Sequence, residues 1–338
     1  MELSFVIPCY NMEVYLPKCL DSLLLQDLPL EDYEIIIVND GSKDGTLEIA
    51  NHYAKKYGNI KVIDKENAGV GAARNTGLDC AKGHFIYFLD PDDYLAKNTL
   101  KQLISIMKDN NLEILTFSSK PVYNDSYQEI RTTLDSSFQI SILDGIEYIA
   151  SRKYCNEIWW YIIKKDFLEK TGIRFIEGKW MEDAILTAEL FCQTQKIAHI
   201  PIDIHRYRIL PTSAMRNKSS EHYKKVIYDN ANAAIIFHEL IKKVPQSHFS
   251  ASSCIHRLKT RQQSFVFFLL VRLMKSDISV DAIPEMLTQF KKVEAYPLNH
   301  FIGEDYNRLA YRALVQIFNR EKLIKPFVKL FRTFYNLA

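Results

Sequence analysis

The first hundred residues alternate short apolar runs with segments that show the periodicity of amphipathic helices. The apolar runs are rich in Val, Ile and Phe and end at turn residues, as buried strands do; they cover residues 3–7, 34–38, 61–63 and 85–89. The helical segments cover residues 14–26, 46–57, 70–81 and 95–109. This alternation predicts an α/β fold with a mostly parallel central sheet that is covered by helices on both faces.

The alternation becomes less regular beyond residue 112. We predict a further strand at 112–118, helical or mixed segments at 158–168 and 180–195, and an apolar run at 197–209. From about residue 216 the pattern is helical throughout. Because 338 residues fit about two domains, we predict an α/β domain at 1–215 and a basic α-helical region at 216–338.

Composition and cysteine spacing exclude several classes of protein. No uncharged apolar stretch reaches about 18 residues, the length that a spanning helix needs, and the start of the chain lacks the features of a signal peptide. We therefore expect a cytosolic protein. The six cysteines are widely scattered with no C-x-x-C pair, which argues against a zinc site or a disulfide framework and predicts reduced thiols.

The charge is divided unevenly along the chain. Residues 216–338 contain 20 Lys and Arg against 10 Asp and Glu, whereas the rest contains 23 against 31. Such asymmetry indicates that the basic part meets a polyanion, either nucleic acid or an anionic membrane surface. Nucleic acid is disfavoured because the basic part has no recognised binding motif.

Two apolar runs in the basic region have different interpretations. Residues 323–332 mix apolar residues with Lys and Arg, which favours a peripheral contact with the cytoplasmic face of the membrane. Residues 265–271 fit helix packing or a homodimer surface at least as well. The oligomeric state therefore stays open.

The residues that follow the four predicted strands are where a parallel sheet binds its ligands. They read Pro-Cys-Tyr-Asn at 8–11, Asn-Asp-Gly-Ser at 39–42, Glu-Asn-Ala-Gly at 66–69 and Asp-Pro-Asp-Asp at 90–93.

The loop at 90–93 holds three carboxylates within four residues. These repel one another, so we expect a cation to compensate them. Carboxylate oxygens suit Mg²⁺ or Mn²⁺, commonly together with substrate phosphates. The alternative for Asp93 is a helix N-cap.

Two other segments match known motifs only in part. Residues 40–45 fit the start of an EF-hand loop, but Asn51 stands where a bidentate Glu is needed, so we reject a calcium site. We instead predict that Asp44 caps the following helix and that Asp40 faces a nucleotide pocket. The segment from Gly69 to Arg74 resembles a dinucleotide fingerprint weakly; Arg74 replaces its third glycine and adds a cation for a phosphate or base.

Taken together, these loops resemble glycosyltransferase family 2, of the bacterial cell-surface polysaccharide type, which has the GT-A fold. The stretches that carry the resemblance read SFVIPCYNMEVYLPKCLDSLLLQ, IIIVNDGSKDGT, ENAGVGAARNTGLDCAKGHFIYFLDPDD and WMEDAILTAEL. They lie in order across about residues 2–215. The resemblance implies a nucleotide-diphosphate sugar as donor, with UDP the expected nucleotide, and Mn²⁺ or Mg²⁺ as cofactor.

The resemblance also implies roles for individual residues. Asp92 would ligate the cation that bridges the two phosphates, and Asp90 would contact the ribose or the metal shell. Pro91 departs from the small polar residue often found between them. The other implied donor contacts are Pro8, Tyr10 and Glu13 around the nucleoside, Asp40 on the base, and Arg74 beside the base or phosphates.

A catalytic base is needed in addition to the metal. Displacement of a sugar from a diphosphate requires that the incoming hydroxyl be deprotonated, and a carboxylate on the opposite face of the anomeric carbon gives inversion in one step. By resemblance to the family's Glu-Asp motif, Asp183 is the base, and Glu182 orients it or touches the acceptor. The alternative is that both are helix N-terminal acids stabilised by the helix dipole.

Three further segments complete the predicted site. Arg208 and Ser213 resemble the family's run that closes over the diphosphate, where Arg208 can clamp phosphate oxygens; a surface salt bridge is the alternative. Trp159 and Trp160 stand where related enzymes shape the acceptor site, although adjacent tryptophans fit a core and an interface equally well.

The sequence thus predicts an inverting hexosyl- or N-acetylhexosaminyltransferase that acts on a glycan or lipid-linked acceptor. One alternative is a nucleotidyltransferase, which would be expected to carry a Gly- and Lys-rich loop after the first strand, where this chain has Pro-Cys-Tyr-Asn. The other is a non-catalytic module that binds sugar nucleotides, glycan or membrane, which would be favoured only if Asp92 or Asp183 were missing.

Overall fold

A computed structural model of the chain describes residues 1–123, 134, 138–210, 219–303 and 305–335. The chain divides into two compact units, Met1–Tyr148 with Tyr154–Pro211, and Ile149–Lys153 with Thr212–Ala338. The main division lies close to the predicted boundary after residue 215. The short segment Ile149–Lys153 groups with the second unit, although no feature of the sequence separates it from its neighbours.

The described strands of the first unit form one nine-stranded sheet. In chain order they are β1 (Leu3–Cys9), β2 (Tyr33–Asp40), β3 (Ile60–Lys65), β4 (Phe85–Phe88), β5 (Tyr94–Leu95), β6 (Ile114–Val122), β7 (Ile142–Leu143), β8 (Tyr161–Lys164) and β9 (Ile197–Arg208). The order across the sheet is β3-β2-β1-β4-β8-β6-β9-β5, and β7 pairs with β9.

Seven described helices begin in the first unit and five lie in the second. The first group is α1 (Leu16–Leu24), α2 (Thr46–Lys56), α3 (Val70–Cys80), α4 (Leu100–Asp109), α5 (Gly145–Ser151), α6 (Lys165–Thr171) and α7 (Glu182–Gln193). The second group is α8 (Ser220–Lys242), α9 (Ala251–Met274), α10 (Ile283–Lys292), α11 (Leu309–Phe318) and α12 (Glu321–Tyr335).

The N-terminal half of the sheet is the parallel α/β arrangement that the sequence predicted. Strand β1 pairs in parallel with β2 and with β4, and β2 pairs in parallel with β3. Every residue of β1 and β2 is buried, which explains why these strands read as continuous apolar runs rather than alternating ones. Their carboxyl ends therefore present loops 9–13 and 41–46 at one edge of the sheet.

The other half of the sheet is mixed, so the prediction of a mostly parallel sheet holds only for the first half. Strand β8 lies between β4 and β6 and runs antiparallel to both, while β6 and β9 are parallel. The sequence did not reveal this because the four-residue strand β8 continues into α6 without an intervening turn. Its apolar pattern therefore merges with that of the helix.

The predicted helix at residues 95–109 begins later than expected. Tyr94 and Leu95 form β5, which pairs antiparallel with His205 and Arg206 of β9, and the helix α4 starts only at Leu100. The backbone N–H of Leu95 donates to Ser22 Oγ at 3.1 Å. Tertiary pairing with β9 thus overrides a local helical pattern, and it pulls the end of the Asp90–Asp93 loop onto the sheet.

The second unit has its own aromatic and polar core. Phe267 stacks on Phe301 with ring centroids 4.1 Å apart, and Gln262, which is fully buried, donates to the backbone carbonyls of Ala234 and Val293 at 2.9 Å. Buried polar groups must be hydrogen-bonded to be tolerated, so this amide ties α8 to the segment after α10. Across the described residues, no helix is both long and apolar enough to cross a bilayer.

We expect Gly77→Ala to destabilise the first unit. Gly77 lies where α3 packs on β1 and β2, and a Cβ there would overlap Val6 Cγ1 and lie 3.3 Å from Val38 Cγ2. Overpacking of this kind costs about 1–3 kcal/mol, which urea unfolding can measure. Gly58→Ala is the matched control, because a Cβ at Gly58 would meet nothing within 4 Å; equal losses in both variants would contradict the packing argument.

Candidate active site

Hydrogen bonds brace the two loops that follow β1 and β2 against each other. The Asn11 backbone N–H donates to Ser42 Oγ at 3.0 Å, and Glu13 Oε2 accepts from the Gly45 backbone N–H at 2.6 Å. Tyr10 stays 47% exposed at this edge. Of the residues implied to line a nucleoside pocket, Tyr10 is thus available to a ligand, whereas Glu13 supports the neighbouring loop.

Asp40 organises the loop that leads into α3. Its Oδ1 accepts from Lys65 Nζ at 3.0 Å and from the Ala68 backbone N–H at 2.9 Å, while its Oδ2 accepts from the Gly69 backbone N–H at 2.8 Å. Asp40 is only 3% exposed. These bonds fix the start of α3, and they occupy the carboxylate for which the family resemblance implies a contact with the base.

Asp44, Pro8 and the cysteines complete the description of these loops. Asp44 Oδ1 accepts from the backbone N–H and the hydroxyl of Thr46, the first residue of α2, at 3.0 and 2.6 Å; the N-cap of α2 is Gly45, so Asp44 bonds the start of the helix from one position before the cap. Pro8 is a buried residue of β1 and pairs with Val38 of β2. All six cysteines are free thiols, so no disulfide forms.

Asp90, Asp92 and Asp93 form a carboxylate cluster at the end of β4. One oxygen from each lies within 4.8 Å of the others. Burial, followed by the charges of Asp93 and Asp90, raises the pKa of Asp92 to about 7. Repulsion of this kind is what a divalent cation relieves, and carboxylate oxygens are its preferred ligands. The residues present therefore fit a Mg²⁺ or Mn²⁺ ion.

Asp93 is not a helix cap, so that alternative is wrong. Its Oδ2 lies 2.8 Å from His205 Nε2, and its Oδ1 accepts from the Arg208 backbone N–H at 2.7 Å. His205 Nδ1 in turn lies 3.2 Å from the hydroxyl of Tyr87. Burial lowers the pKa of His205 to about 3, so the ring is neutral. Asp93 thus joins the carboxylate loop to β9.

Strand β9 also places Arg208 and Trp159 near this loop. The Arg208 guanidinium lies over the rings of Tyr15 and Tyr94, at 5.0 and 5.6 Å from their centroids. Trp159 stacks on His205 with ring centroids 4.2 Å apart and planes within 8°. Both residues therefore connect, through β9, to the carboxylate cluster.

Trp160 and Ser213 stand apart from this group. Trp160 packs among Tyr161 and Phe191, at 5.6 Å from each ring, and is 6% exposed. Of the two alternatives for the tryptophan pair, Trp160 takes the core position. Ser213 lies outside the described residues.

Arg74 lies at the centre of a buried ion cluster. Its Nη1 donates to Glu182 Oε1 at 3.1 Å and to Asp183 Oδ1, and its Nη2 donates to Asp90 Oδ1 at 2.9 Å. The guanidinium carbon lies 5.2 Å from the ring centroid of Phe175, and Arg74 is 3% exposed. The resemblance implied a donor contact for Arg74, and the structure places its side chain on the acids instead.

The charges in this cluster oppose one another. Burial raises the pKa of Asp183, Arg74 acts to lower it, and Glu182 and Asp90 act to raise it. For Arg74, burial acts to lower the pKa, but the charges of Asp183, Asp90 and Glu182 outweigh it and raise the pKa. Glu182 and Asp183 also begin α7, so the helix dipole favours their ionised forms as the alternative interpretation held.

Three contributors were not singled out from the sequence. His205, on β9, supports the carboxylate cluster, and Phe175, in the loop before α7, supports the ion cluster around Arg74. Asn75 hydrogen-bonds that same loop. For His205, the signal in the sequence was a histidine inside the apolar run 197–209. Phe175 and Asn75 carry no such signal, because their partners lie about a hundred residues away.

The comparisons with known proteins agree with this geometry. Residues 4–167 match the model of a family described as Glycosyl transferase family 2. The match to this family covers just under half of the chain. The family 2 match contains Arg74 and the whole carboxylate cluster, whereas Glu182, Asp183 and β9 follow it.

Curated relatives share this domain. An uncharacterized glycosyltransferase of Bacillus subtilis, EpsJ, is 29% identical over 214 residues, which is 62% of this chain and 62% of the relative. Poly(ribitol-phosphate) beta-N-acetylglucosaminyltransferase TarS of Staphylococcus aureus is 37% identical over 124 residues, which is 36% of this chain and 22% of TarS. The chain therefore spans less than two thirds of either relative.

Solved structures show the same fold over the full chain. The crystal structure of S. aureus TarS 1–349 in complex with UDP-GlcNAc superposes with a TM-score of 0.69 at 22% identity, and covers 100% of this chain and 92% of that one. A Pyrobaculum calidifontis mannosyltransferase in complex with GDP-Man and Mn²⁺ gives 0.57 at 15% identity, over 97% and 86% of the two chains. This likeness confirms the expected GT-A fold with C-terminal helices.

We expect Arg74→Met to destabilise the first unit strongly. The change leaves three carboxylates without their cation, and removal of one partner from a buried ion cluster costs about 3–5 kcal/mol. The loss should be larger at pH 8 than at pH 5: Arg74 acts to lower the pKa of Asp183, so its contribution is lost as the acids protonate. Urea unfolding at both pH values measures it.

Arg174→Met is the matched control for this prediction. Arg174 pairs with Asp79 at 2.8 Å, but the two side chains are 47% and 61% exposed. An exposed pair contributes at most about 1 kcal/mol. Similar losses in the two variants, or a loss at Arg74 that does not depend on pH, would contradict the ion-cluster explanation.

Proposed function

We propose that this chain is an inverting glycosyltransferase that moves a hexose or N-acetylhexosamine from a UDP-sugar to a hydroxyl of a cell-surface glycopolymer or lipid-linked glycan. One observation carries the proposal: a single guanidinium, that of Arg74, bonds Asp90 of the carboxylate cluster and Asp183 of the acidic pair. The residues that we propose for the diphosphate site and for the general base are therefore joined by one side chain.

The donor class rests on the carboxylate cluster and on the structural neighbours. The crystal structure of TarS is in complex with UDP-GlcNAc, and that of the P. calidifontis mannosyltransferase is in complex with GDP-Man and Mn²⁺. In this chain, Asp92 with Asp90 would hold the divalent cation. When bound, such an ion neutralises charge on the diphosphate leaving group. Tyr10 would flank the nucleoside, and Arg208 would bind phosphate oxygens.

The chain's own residues perform the proton transfer. The acceptor hydroxyl oxygen attacks the anomeric carbon, the bond from that carbon to the diphosphate oxygen breaks, and the hydroxyl proton passes to the Asp183 carboxylate. A single displacement inverts the anomeric configuration. Burial raises the pKa of Asp183 and thus its basicity, while Arg74 stabilises the ionised form that can accept a proton.

The acceptor proposal rests on names of relatives and on one side chain. TarS is named for poly(ribitol-phosphate), and a polyol phosphate polymer is therefore our first acceptor to test. Trp159 is 7% exposed and stacks on both His205 and Tyr207 beside the carboxylate loop. We therefore propose that Trp159 supports the acceptor site from below its surface, and we leave Trp160 to the core.

Donor binding should depend on the metal, and transfer should depend on Asp183. A thermal-shift panel of nucleotide sugars with Mn²⁺ should show stabilisation by the cognate donor, because bound ligand stabilises by mass action. Asp92→Asn should remove that shift.

Asp183→Asn should retain the thermal shift while turnover falls about a thousandfold or more, since general-base catalysis contributes about 10²–10⁴-fold. Turnover in excess chelator would exclude the metal, and full transfer by Asp183→Asn would exclude that base.

A second proposal concerns membrane contact through α12. One face of this helix is packed, with Ile324 fully buried and Val328 1% exposed, whereas Leu323, Leu330 and Phe334 are 44%, 57% and 65% exposed. The exposed residues follow helical spacing along a second face, and Lys322 and Lys329 are exposed beside them. An apolar stripe flanked by lysines suits an anionic lipid surface.

Vesicle binding tests this contact. The full chain should co-sediment with phosphatidylglycerol vesicles. The double variant Leu323→Ser with Leu330→Ser should weaken binding by about tenfold or more, because each leucine side chain that enters the lipid surface contributes about 1 kcal/mol or more. Tyr123→Ser is the control, since Tyr123 is 76% exposed in the first unit. Equal binding by the double variant and the wild type would exclude α12.

A further inference from the structure

Asn75, which follows Arg74 on α3, bonds the segment that leads to the acidic pair. Its Oδ1 accepts from the Phe175 backbone N–H at 3.0 Å, and its Nδ2 donates to the Phe175 carbonyl oxygen at 3.0 Å and to Glu177 Oε1 at 2.9 Å. One side-chain amide thereby satisfies both backbone groups of a single residue. A side-chain amide supplies one acceptor oxygen and two N–H donors, which is what these three bonds use.

The same segment lies unusually close to α3. A Cβ at Gly71 would lie 2.8 Å from the Ile176 carbonyl oxygen, so the approach requires glycine at the first turn of the helix. Phe175 is buried, and its ring meets that of Phe88 edge-on at 5.0 Å. Residues 175–177 are therefore fixed to α3 and to β4.

The backbone between this segment and the acids is sterically demanding. Gly178 has φ +69°, and Met181, which precedes Glu182, has φ +70°. A left-handed conformation is unfavourable for a residue with a side chain, and it persists only where the surroundings enforce it. The acids that follow Met181 are bonded by Arg74. The segment 175–183 is thus held at its start by Asn75 and at its end by Arg74, two adjacent residues of one helix.

We propose that Asn75 is a positioning residue for the catalytic base, which it fixes by clamping the backbone of residue 175. This inference rests on the proposed function, in which Asp183 is the base. Asn75 touches neither the acids nor the carboxylate cluster in the described bonds. Its effect passes through the chain from Phe175 to Met181, whose conformation sets the direction in which Asp183 points.

Hydrogen exchange of the full chain tests the clamp without knowledge of the sugar. Asn75→Ala should accelerate amide exchange in peptides covering 175–183 by about tenfold or more, because local opening exposes amides that the native bonds protect. Asn59→Ala is the control, since the Asn59 amide donates to the Tyr33 carbonyl oxygen at 3.3 Å, away from this loop. Wild-type exchange in Asn75→Ala would overturn the clamp.

Turnover separates positioning from general support of the fold. With Mn²⁺ and UDP-GlcNAc as the probe, UDP release by Asn75→Ala should fall by about 30-fold or more, since a displacement near 1 Å can cost about a hundredfold. The dissociation constant of UDP, measured by calorimetry, should stay within about threefold, because the donor contacts are unchanged. A parallel rise in that constant would overturn positioning of the base as the role.

A rescue variant and the Asp183 variant complete the test. Asn75→Asp keeps an acceptor for the Phe175 N–H but sets a carboxylate against Glu177 Oε1 and the Phe175 carbonyl oxygen. Adding Glu177→Gln removes the first repulsion and supplies an amide donor, so the double variant should recover part of the turnover that Asn75→Asp loses. If Asp183→Asn is inactive while Asn75→Ala has normal exchange and turnover, the clamp is wrong and the base stands. If Asp183→Asn keeps full turnover while Asn75→Ala loosens residues 175–183, the base assignment is wrong instead.

Discussion

The buried guanidinium of Arg74 is the interaction on which the rest of the site depends. It is bonded to three carboxylates that come from two distant parts of the chain, Asp90 after β4 and Glu182 with Asp183 at the start of α7. Glu182 is 7% exposed, and Asp90 and Asp183 are 29% and 23% exposed, so without a cation three neighbouring carboxylates with little access to water would be strongly unfavourable. Arg74 thus brings together the two halves of the proposed chemistry.

The carboxylate cluster and the acidic pair differ in how their charge is compensated. Arg74 bonds both acids of the pair, whereas in the cluster it bonds Asp90 alone, and burial together with Asp93 and Asp90 raises the pKa of Asp92. Negative charge therefore remains beside Asp92, which suits a divalent cation with substrate phosphates. The same electrostatic logic makes Asp93 a structural residue: it is turned to His205 and to the Arg208 backbone, and it joins the loop to β9.

The sequence predicted much of the fold and most members of the site. Strands β1 to β4 and helices α1 to α3 were recognisable because buried parallel strands and amphipathic helices have distinct periods, and the family resemblance singled out Asp92, Arg74 and Asp183. It could not predict that β5 replaces the first turn of a helix, since the partner of Tyr94 and Leu95 is β9, about 110 residues away. The antiparallel insertion of β8 was hidden for a similar reason.

What the sequence determined by itself was which residue types stand at each place: carboxylates after β4, which suit a cation, an acidic pair at a helix start, to which we assign the proposed proton transfer, and a basic helical C-terminal region. These follow from residue type and local pattern. Only the tertiary structure decided which charge meets which. It turned Arg74 towards the acids rather than outwards, made Asp93 a partner of His205, placed Trp160 in the core, and used Asn75 to hold a segment a hundred residues later. The physical reason is that pairing and burial depend on distances between residues far apart in the chain, which periodicity and composition do not encode.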